Sequence, residues 1–215
     1  MNAVIIKDLG ITDYKQTWQK MKSFNANRNY DTNDEIWLTE HYPVYTIGLN
    51  GKEEHLLSST NIPIIRCDRG GQITFHGPGQ IIIYPLINLK QQKLSVSKLI
   101  NILENTIIQL LSKMNCEAKN DLAARGVYIK NKKIASIGLR VSKGCSYHGI
   151  ALNADMDLSF FNRINPCGIK DLKMIQIKDI QPDFSVDKIK KQILQLLTKQ
   201  LNYDIINLDN IGNIL

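Results

Sequence analysis

Residues 69–80, RGGQITFHGPGQ, hold four of the chain's thirteen glycines and run directly into an apolar stretch, IIIYPLIN, at 81–88. Glycine lets backbone adopt positive φ or approach another group closely, because it has no Cβ to clash. Two glycine turns flanking QITFH therefore confine the chain to a short strand with tight ends, followed by a longer strand. An ordinary hairpin with Gly/Pro punctuation satisfies that pattern. So does a loop that brings bare backbone N–H groups up to a ligand.

The rest of the chain must supply what those strands pack against. At 215 residues it can bury a sizeable core, and no Pro/Ser/Gly-rich linker, repeat or low-complexity tract divides it, so a single domain over residues 1–215 is expected. The N-terminal residues carry no basic, apolar leader pattern, and no run approaches the roughly 18 apolar residues of a membrane span, which predicts a cytoplasmic protein without a membrane partner. Cys67, Cys116, Cys145 and Cys167 are far apart and share no metal-ligand spacing with the histidines, so neither a metal nor disulfides are expected. The 27 Lys and Arg against 20 Asp and Glu leave a charge of +7. Those cations are spread along the chain without a nucleic-acid-binding signature, and a diffuse positive surface equally suits an acidic protein partner.

Periodicity gives a first strand at 2–7 and a helix from a Thr12 cap to about residue 27, with Tyr14, Trp18 and Met21 on one face. Strands follow at 35–39, 44–47 and 63–67. Helices are expected at 95–114, with Leu99, Ile107 and Leu110 inward, and at 185–201 behind a Ser185 cap. Between them lies a meander of strands at 126–130, 133–141 and 145–154, the first pair joined by a two-residue turn at Asn131 and Lys132. Strands interrupted by few helices predict an α+β fold with a mixed, largely antiparallel sheet.

Three positions carry candidate chemistry. Strand parity puts Lys133 with Ala135, Ile137, Leu139 and Val141 on the more apolar face. A lysine there either snorkels to solvent or has its pKa lowered by desolvation, which would make it a general base near neutrality. Cys167, in the turn NPCG at 165–168, is presented by its backbone, whereas the other three cysteines sit in or beside regular elements. A presented thiol still needs a neighbour to become a nucleophile. His148 shares parity with Ile150 and Leu152, as a core histidine or as one facing a pocket beside Gly149. His41 and His76 are equally ambiguous, and His55 reads as surface. Cys167 paired with a histidine or with Lys133 are both consistent with the residues.

Together these segments resemble the octanoyltransferases of lipoate synthesis, also called lipoyl(octanoyl) transferases or lipoate–protein ligase B. The resemblance rests on EHYPVYTIG at 40–48, the 69–80 block, KIASIGLR at 133–140, HGIALN at 148–153 and INPCG at 164–168, which cover roughly residues 35–170 in family order. It implies a fold like the catalytic domain of biotin and lipoate protein ligases. It implies an octanoyl group passing from octanoyl-acyl carrier protein to Cys167 as a thioester, then to a specific lysine of a lipoyl domain, with Lys133 as the second catalytic residue and no cofactor. The acceptors so implied are the lipoyl domains of 2-oxoacid dehydrogenase E2 subunits and the glycine cleavage H protein. By the same match, Arg69, Gly70, Gly71, Gln72, Ile73, Thr74, Phe75, His76, Ser136, Ile137, Gly138, Gly149, Ile150 and Ala151 form the acyl-binding walls. Oxyanion donors are sought among backbone N–H groups beside His76, Gly77 or Cys167. The alternative is an ATP-dependent lipoate or biotin protein ligase on the same fold.

Overall fold

The computed structural model of the chain describes residues 3–209. Residue 2, where the sequence pattern starts the first strand, and both ends of the expected 1–215 domain lie outside the described residues. The strands are β1 (Ala3–Thr12), β2 (Asp34–His41), β3 (Val44–Ile47), β4 (Ile64–Arg66), β5 (Ile73–His76), β6 (Gln80–Leu86), β7 (Lys119–Asn120), β8 (Gly126–Ile129), β9 (Lys132–Ser142), β10 (Cys145–Asn153), β11 (Lys173–Met174) and β12 (Asp204–Asp209). The helices are α1 (Tyr14–Ala26), α2 (Val96–Ser112) and α3 (Val186–Leu201). None is long and apolar enough to cross a membrane.

A large mixed sheet runs β12-β1-β2-β6-β10-β9-β8-β7, with β11 alongside the start of β9. It is parallel at β12/β1/β2 and β9/β11 and antiparallel elsewhere, as the α+β pattern requires. A second sheet, β4-β3-β5, stands apart. The sequence shows β2 and β3 as neighbours in the chain, but the break at Tyr42 and Pro43 sends them to different sheets.

The apolar run after residue 80 is explained by burial on both faces. Ile81 and Ile83 enter the main core with α2 and α3, while Ile82, Tyr84 and Leu86 pack with Met21 of α1. A strand covered on both sides has no need of polar alternation. Pro85 has no N–H to give a neighbour, and the β6/β10 ladder stops short of it, at Ile150 opposite Ile83. There β10 kinks. His148 takes φ of 56°, and a Cβ on Gly149 would lie 2.0 Å from the Ile83 carbonyl oxygen.

Two local expectations shift by one residue. Asp13, not Thr12, caps α1, its Oδ1 accepting from the Gln16 N–H at 2.8 Å. Thr12 stays in β1 because its hydroxyl is engaged with Thr39 and His41 on the neighbouring strand. The turn between β8 and β9 is Lys130 and Asn131, with Lys130 at φ of 54° and Lys132 already paired with Ile129.

His41 is buried between Thr12 and Tyr84, and burial pulls its pKa down to about 4 despite a backbone hydrogen bond to Thr12. The unfolded chain then binds a proton that the folded one refuses. Stability from this group is complete above pH 6.5 and lost as pH falls toward 4, by up to roughly 3 kcal/mol. Unfolding titrations at pH 6.5 and 4.5 should show a smaller difference for His41→Asn than for the parent chain.

Candidate active site

Lys133 neither snorkels nor keeps parity with Ala135. Tyr128 pairs with Lys133 while Val127 pairs with Ala135, so Ile134 is an extra residue, a β-bulge. Ile134 and Ala135 both enter the main core, and alternation restarts after them. Lys133 is fully buried. Its Nζ donates to the Arg125 carbonyl at 2.9 Å and lies 3.0 Å from Cys167 Sγ and 4.9 Å from the centre of the Tyr128 ring. Burial pulls the ammonium's pKa down, but the charge of the Cys167 sulfur and hydrogen bonds with Tyr128 and Cys167 push it further up. The balance lies above the ordinary lysine value, so in the resting site Lys133 is an ammonium and not the neutral base that desolvation alone would give.

Cys167 sits in a tight turn as the sequence suggests, with its backbone in the left-handed region at φ 58°, ψ 16°. Holding a non-glycine residue there costs on the order of 1 kcal/mol or more, so the surrounding structure must enforce it. Pro166 fixes one side and Gly168, at φ 74°, the other. The Gly168 N–H donates to the Asn165 carbonyl at 2.9 Å, and the Asn165 N–H donates to the carbonyl of His55 at 2.8 Å. His55 is therefore not a plain surface residue. It is half-buried, and a Cβ on Gly168 would lie 3.2 Å from its Nε2.

The sulfur opens into a cavity of about 360 Å³. Arg69, Gly70, Gly71, Gln72, Ile73, Thr74, His76, Ser136, Ile137, Gly138, Gly149, Ile150 and Ala151 line it, as the sequence resemblance implies. Phe75 does not. Thr74 and His76 face the cavity, and the residue between them on a strand faces away. Phe75 stacks on Phe160 with ring centres 4.6 Å apart, in a core cluster with Tyr45 and Phe161. The wall is close-built: the Gly70 N–H donates to the Leu139 carbonyl at 2.9 Å, and a Cβ on Gly138 would stand 2.8 Å from the Gly70 oxygen.

The sequence reading missed Tyr14, Ile82, Tyr84, Val96, Ile100, Leu139 and the segment 123–125, which complete the lining. Val96 and Ile100 did leave a signal. They are apolar, four residues apart, and off the buried stripe of α2. Tyr14 and Tyr84 left none, since only tertiary packing brings them to the cavity.

His148, in the lining, belongs to a polar and aromatic cluster. Asp68 accepts from Trp18 Nε1 at 2.8 Å and the Tyr147 hydroxyl at 2.6 Å, and pairs with His148 Nε2 at 3.0 Å. Burial pushes the Asp68 carboxyl up, but these donors together hold it well below the usual carboxylate range. Burial keeps His148 below its ordinary value despite Asp68, so the ring is neutral and its Nε2–H donates a hydrogen bond to the carboxylate. The kink in β10 turns His148 away from Ile150 and Leu152 toward Tyr14, with which it stacks. His76 is held neutral by burial between Thr46 and Gln80. Among the described residues Cys167 Sγ has one hydrogen-bond partner, Lys133, and none of these imidazoles.

A family model described as the lipoyl protein ligase A/B catalytic domain matches residues 13–198. Octanoyltransferases from Shewanella halifaxensis and Vibrio cholerae are 46% and 47% identical to this chain over 203 residues, covering 94% of it and 93% and 94% of themselves. Among solved structures, a putative lipoate protein ligase from T. acidophilum matches with a TM-score of 0.78 at 14% identity, over 99% of this chain and 90% of that one. A biotin protein ligase from Aquifex aeolicus matches with 0.53 at 14%, over 94% and 70%. At such identities the two structures speak to the fold alone.

Phe75→Leu is expected to lower the unfolding free energy by about 1 kcal/mol and leave uptake of a fluorescent fatty acid by the cavity unchanged. Ser136→Leu, which fills the cavity instead, should reduce that uptake with little change in melting temperature.

Proposed function

We propose that this chain, which belongs to the octanoyltransferase family and carries its lipoyl protein ligase A/B catalytic domain, takes an octanoyl group from octanoyl-acyl carrier protein onto Cys167. It then delivers the group to one lysine of a lipoyl domain. The observation that carries this reading is the 3.0 Å contact between a buried ammonium and a presented thiol at the mouth of a narrow cavity. The chain acts as a single domain, with lipoyl domains of 2-oxoacid dehydrogenase E2 subunits and the glycine cleavage H protein as acceptors.

With the acceptor lysine entering as a free amine, its ammonium proton shed to solvent, the remaining protons balance through Lys133. Lys133 as ammonium stabilises the Cys167 thiolate, which attacks the donor thioester carbonyl. The carrier's thiolate leaves and takes a proton from Lys133. The acyl-enzyme sulfur is now uncharged, so the first of the influences that raised the lysine's pKa is gone, and burial weighs against the ammonium. Lys133 is then a neutral amine, fit to take the proton that the acceptor lysine must lose as it attacks. Amide formation expels the Cys167 thiolate beside a renewed ammonium. Exchange between thioesters followed by aminolysis is downhill, which calls for no ATP.

The cavity side follows from size and surface. Ser136, Gly138 and Gly149 leave room along the wall, and Ile137, Ile150 and Ile82 supply apolar contact. Each methylene buried there contributes about 0.8 kcal/mol, enough for depth to select chain length. The Gly168 N–H is committed to Asn165, which leaves the other backbone amides around the thiol and the 69–77 loop as oxyanion donors. The diffuse +7 charge would speed encounters with acidic carriers and lipoyl domains.

Incubation with octanoyl-carrier protein, without ATP, should add the mass of one octanoyl group to Cys167, and a lipoyl domain should then remove it. Cys167→Ser should form no thioester, and Lys133→Met should slow transfer by roughly a hundredfold or more. Replacing Cys67, Cys116 or Cys145 should change little. Acylation that requires ATP would instead indicate a ligase.

A further inference from the structure

Glu104 lies on α2, fully buried, in a stretch of otherwise uncharged inward positions. Its Oε1 accepts the Gly126 N–H at 2.9 Å. Its Oε2 accepts from Asn120 Nδ2 at 3.0 Å and pairs with Arg125 Nη1 at 3.1 Å. The peptide whose N–H it takes joins Arg125 to Gly126, and the carbonyl of that same peptide accepts from Lys133 Nζ at 2.9 Å. A single amide plane therefore stands between a buried carboxylate and the ammonium that faces Cys167.

We propose that Glu104 is a positioning residue for the transfer reaction, acting on Lys133 through the Arg125–Gly126 peptide. The dipoles run head to tail. Negative charge at the N–H end polarises the amide and strengthens its carbonyl as an acceptor, as in any chain of hydrogen bonds in a low-dielectric interior. The carbonyl in turn fixes the lysine's nitrogen and favours its charged form beside the sulfur. Glycine is required at 126, where φ is 136° and a Cβ would lie 3.1 Å from Lys133 Cε and 2.5 Å from the Ala135 carbonyl oxygen. The other titratable groups facing the pair are Tyr128, whose ring Nζ overlies, Asp121 in the loop before β8, and His55 across the Cys167 turn. Arg125 is already engaged by Glu104 and by Asn101 Oδ1 at 3.0 Å. A peptide pinned for structure alone could be held by any neutral acceptor. A fully buried carboxylate in that role indicates that charge is being transmitted.

The proposal rests on the Lys133–Cys167 reading above, and the experiment separates the two. Alkylation of Cys167 by iodoacetamide at pH 7 is compared in the parent chain, Lys133→Met, Glu104→Gln and Asn120→Ala, in a background lacking the other three cysteines, with melting temperatures measured alongside. Lys133→Met should slow it strongly and Glu104→Gln by roughly tenfold. Asn120→Ala, which removes one donor from the outer carboxylate oxygen and leaves Arg125 paired with it, should react like the parent. In steady-state transfer Glu104→Gln should lower kcat with the donor KM unchanged. A normal alkylation rate in Glu104→Gln, with Lys133→Met slowed, overturns the proposal and leaves the reading intact. A normal rate in Lys133→Met overturns both. Should Glu104→Gln fail to fold, the Gly126 amide proton reports the same coupling in Lys133→Met. It should move upfield when the ammonium is lost, and an unmoved resonance overturns the proposal.

Discussion

A buried guanidinium ties the glycine loop to the second sheet, and the Gly70 N–H of that loop donates to Leu139 of the large one. Arg69 donates from Nε to the Thr46 hydroxyl at 3.1 Å, and from its terminal nitrogens to the carbonyls of Thr46, Gly70 and Gln72 at 2.6–2.9 Å. Among the described residues it has no carboxylate partner. The planar fork of arginine can satisfy so many fixed acceptors at once, which a lysine cannot. With the guanidinium in place the glycine loop is held against β3 on one side and β9 on the other, and the cavity has a wall. Its charge also lowers the pKa of His76 and His148 beyond what burial does. Both imidazoles thus stay neutral.

What could be read from the sequence was what has a period or a special backbone. The helices at 95–114 and 185–201 and the strand after residue 80 follow from apolar spacing. Cys167 stood out because Pro and Gly flank it, and its positive φ bears out a turn that presents the sulfur. The bulge at Ile134 left only a faint signature, the adjacent apolar pair Ile134 and Ala135 that breaks the alternation in KKIAS. For that reason the burial of Lys133 was visible as an anomaly, but its direction was not. Phe75 illustrates the opposite failing. Alternation along ITFH separates it from Thr74 and His76, yet it sits inside a block that as a whole forms the wall. Glu104 was hidden within a helix whose apolar neighbours set the pattern, although a carboxylate at an inward position is itself a signal.

Burying a lysine has two consequences that pull in opposite directions. Desolvation favours the neutral amine, and a nearby anion favours the ammonium. At Lys133 the second prevails, with the Cys167 sulfur first among the influences that raise its pKa. A lysine at the surface would stay charged throughout, and one buried without the sulfur would stay neutral. In the proposed reaction the position allows both forms within one turnover.

Helix α2 brings Val96, Ile100 and Glu104 to the site at intervals of four residues. One helix thereby touches the cavity wall at one end and the peptide that supports Lys133 at the other. A substitution at Val96 or Ile100 that resizes the cavity tilts the same helix that holds Glu104. Under the proposed function, selectivity and speed would be mechanically tied. A lineage moving toward a longer or shorter acyl group would have to retune its catalytic lysine along the way.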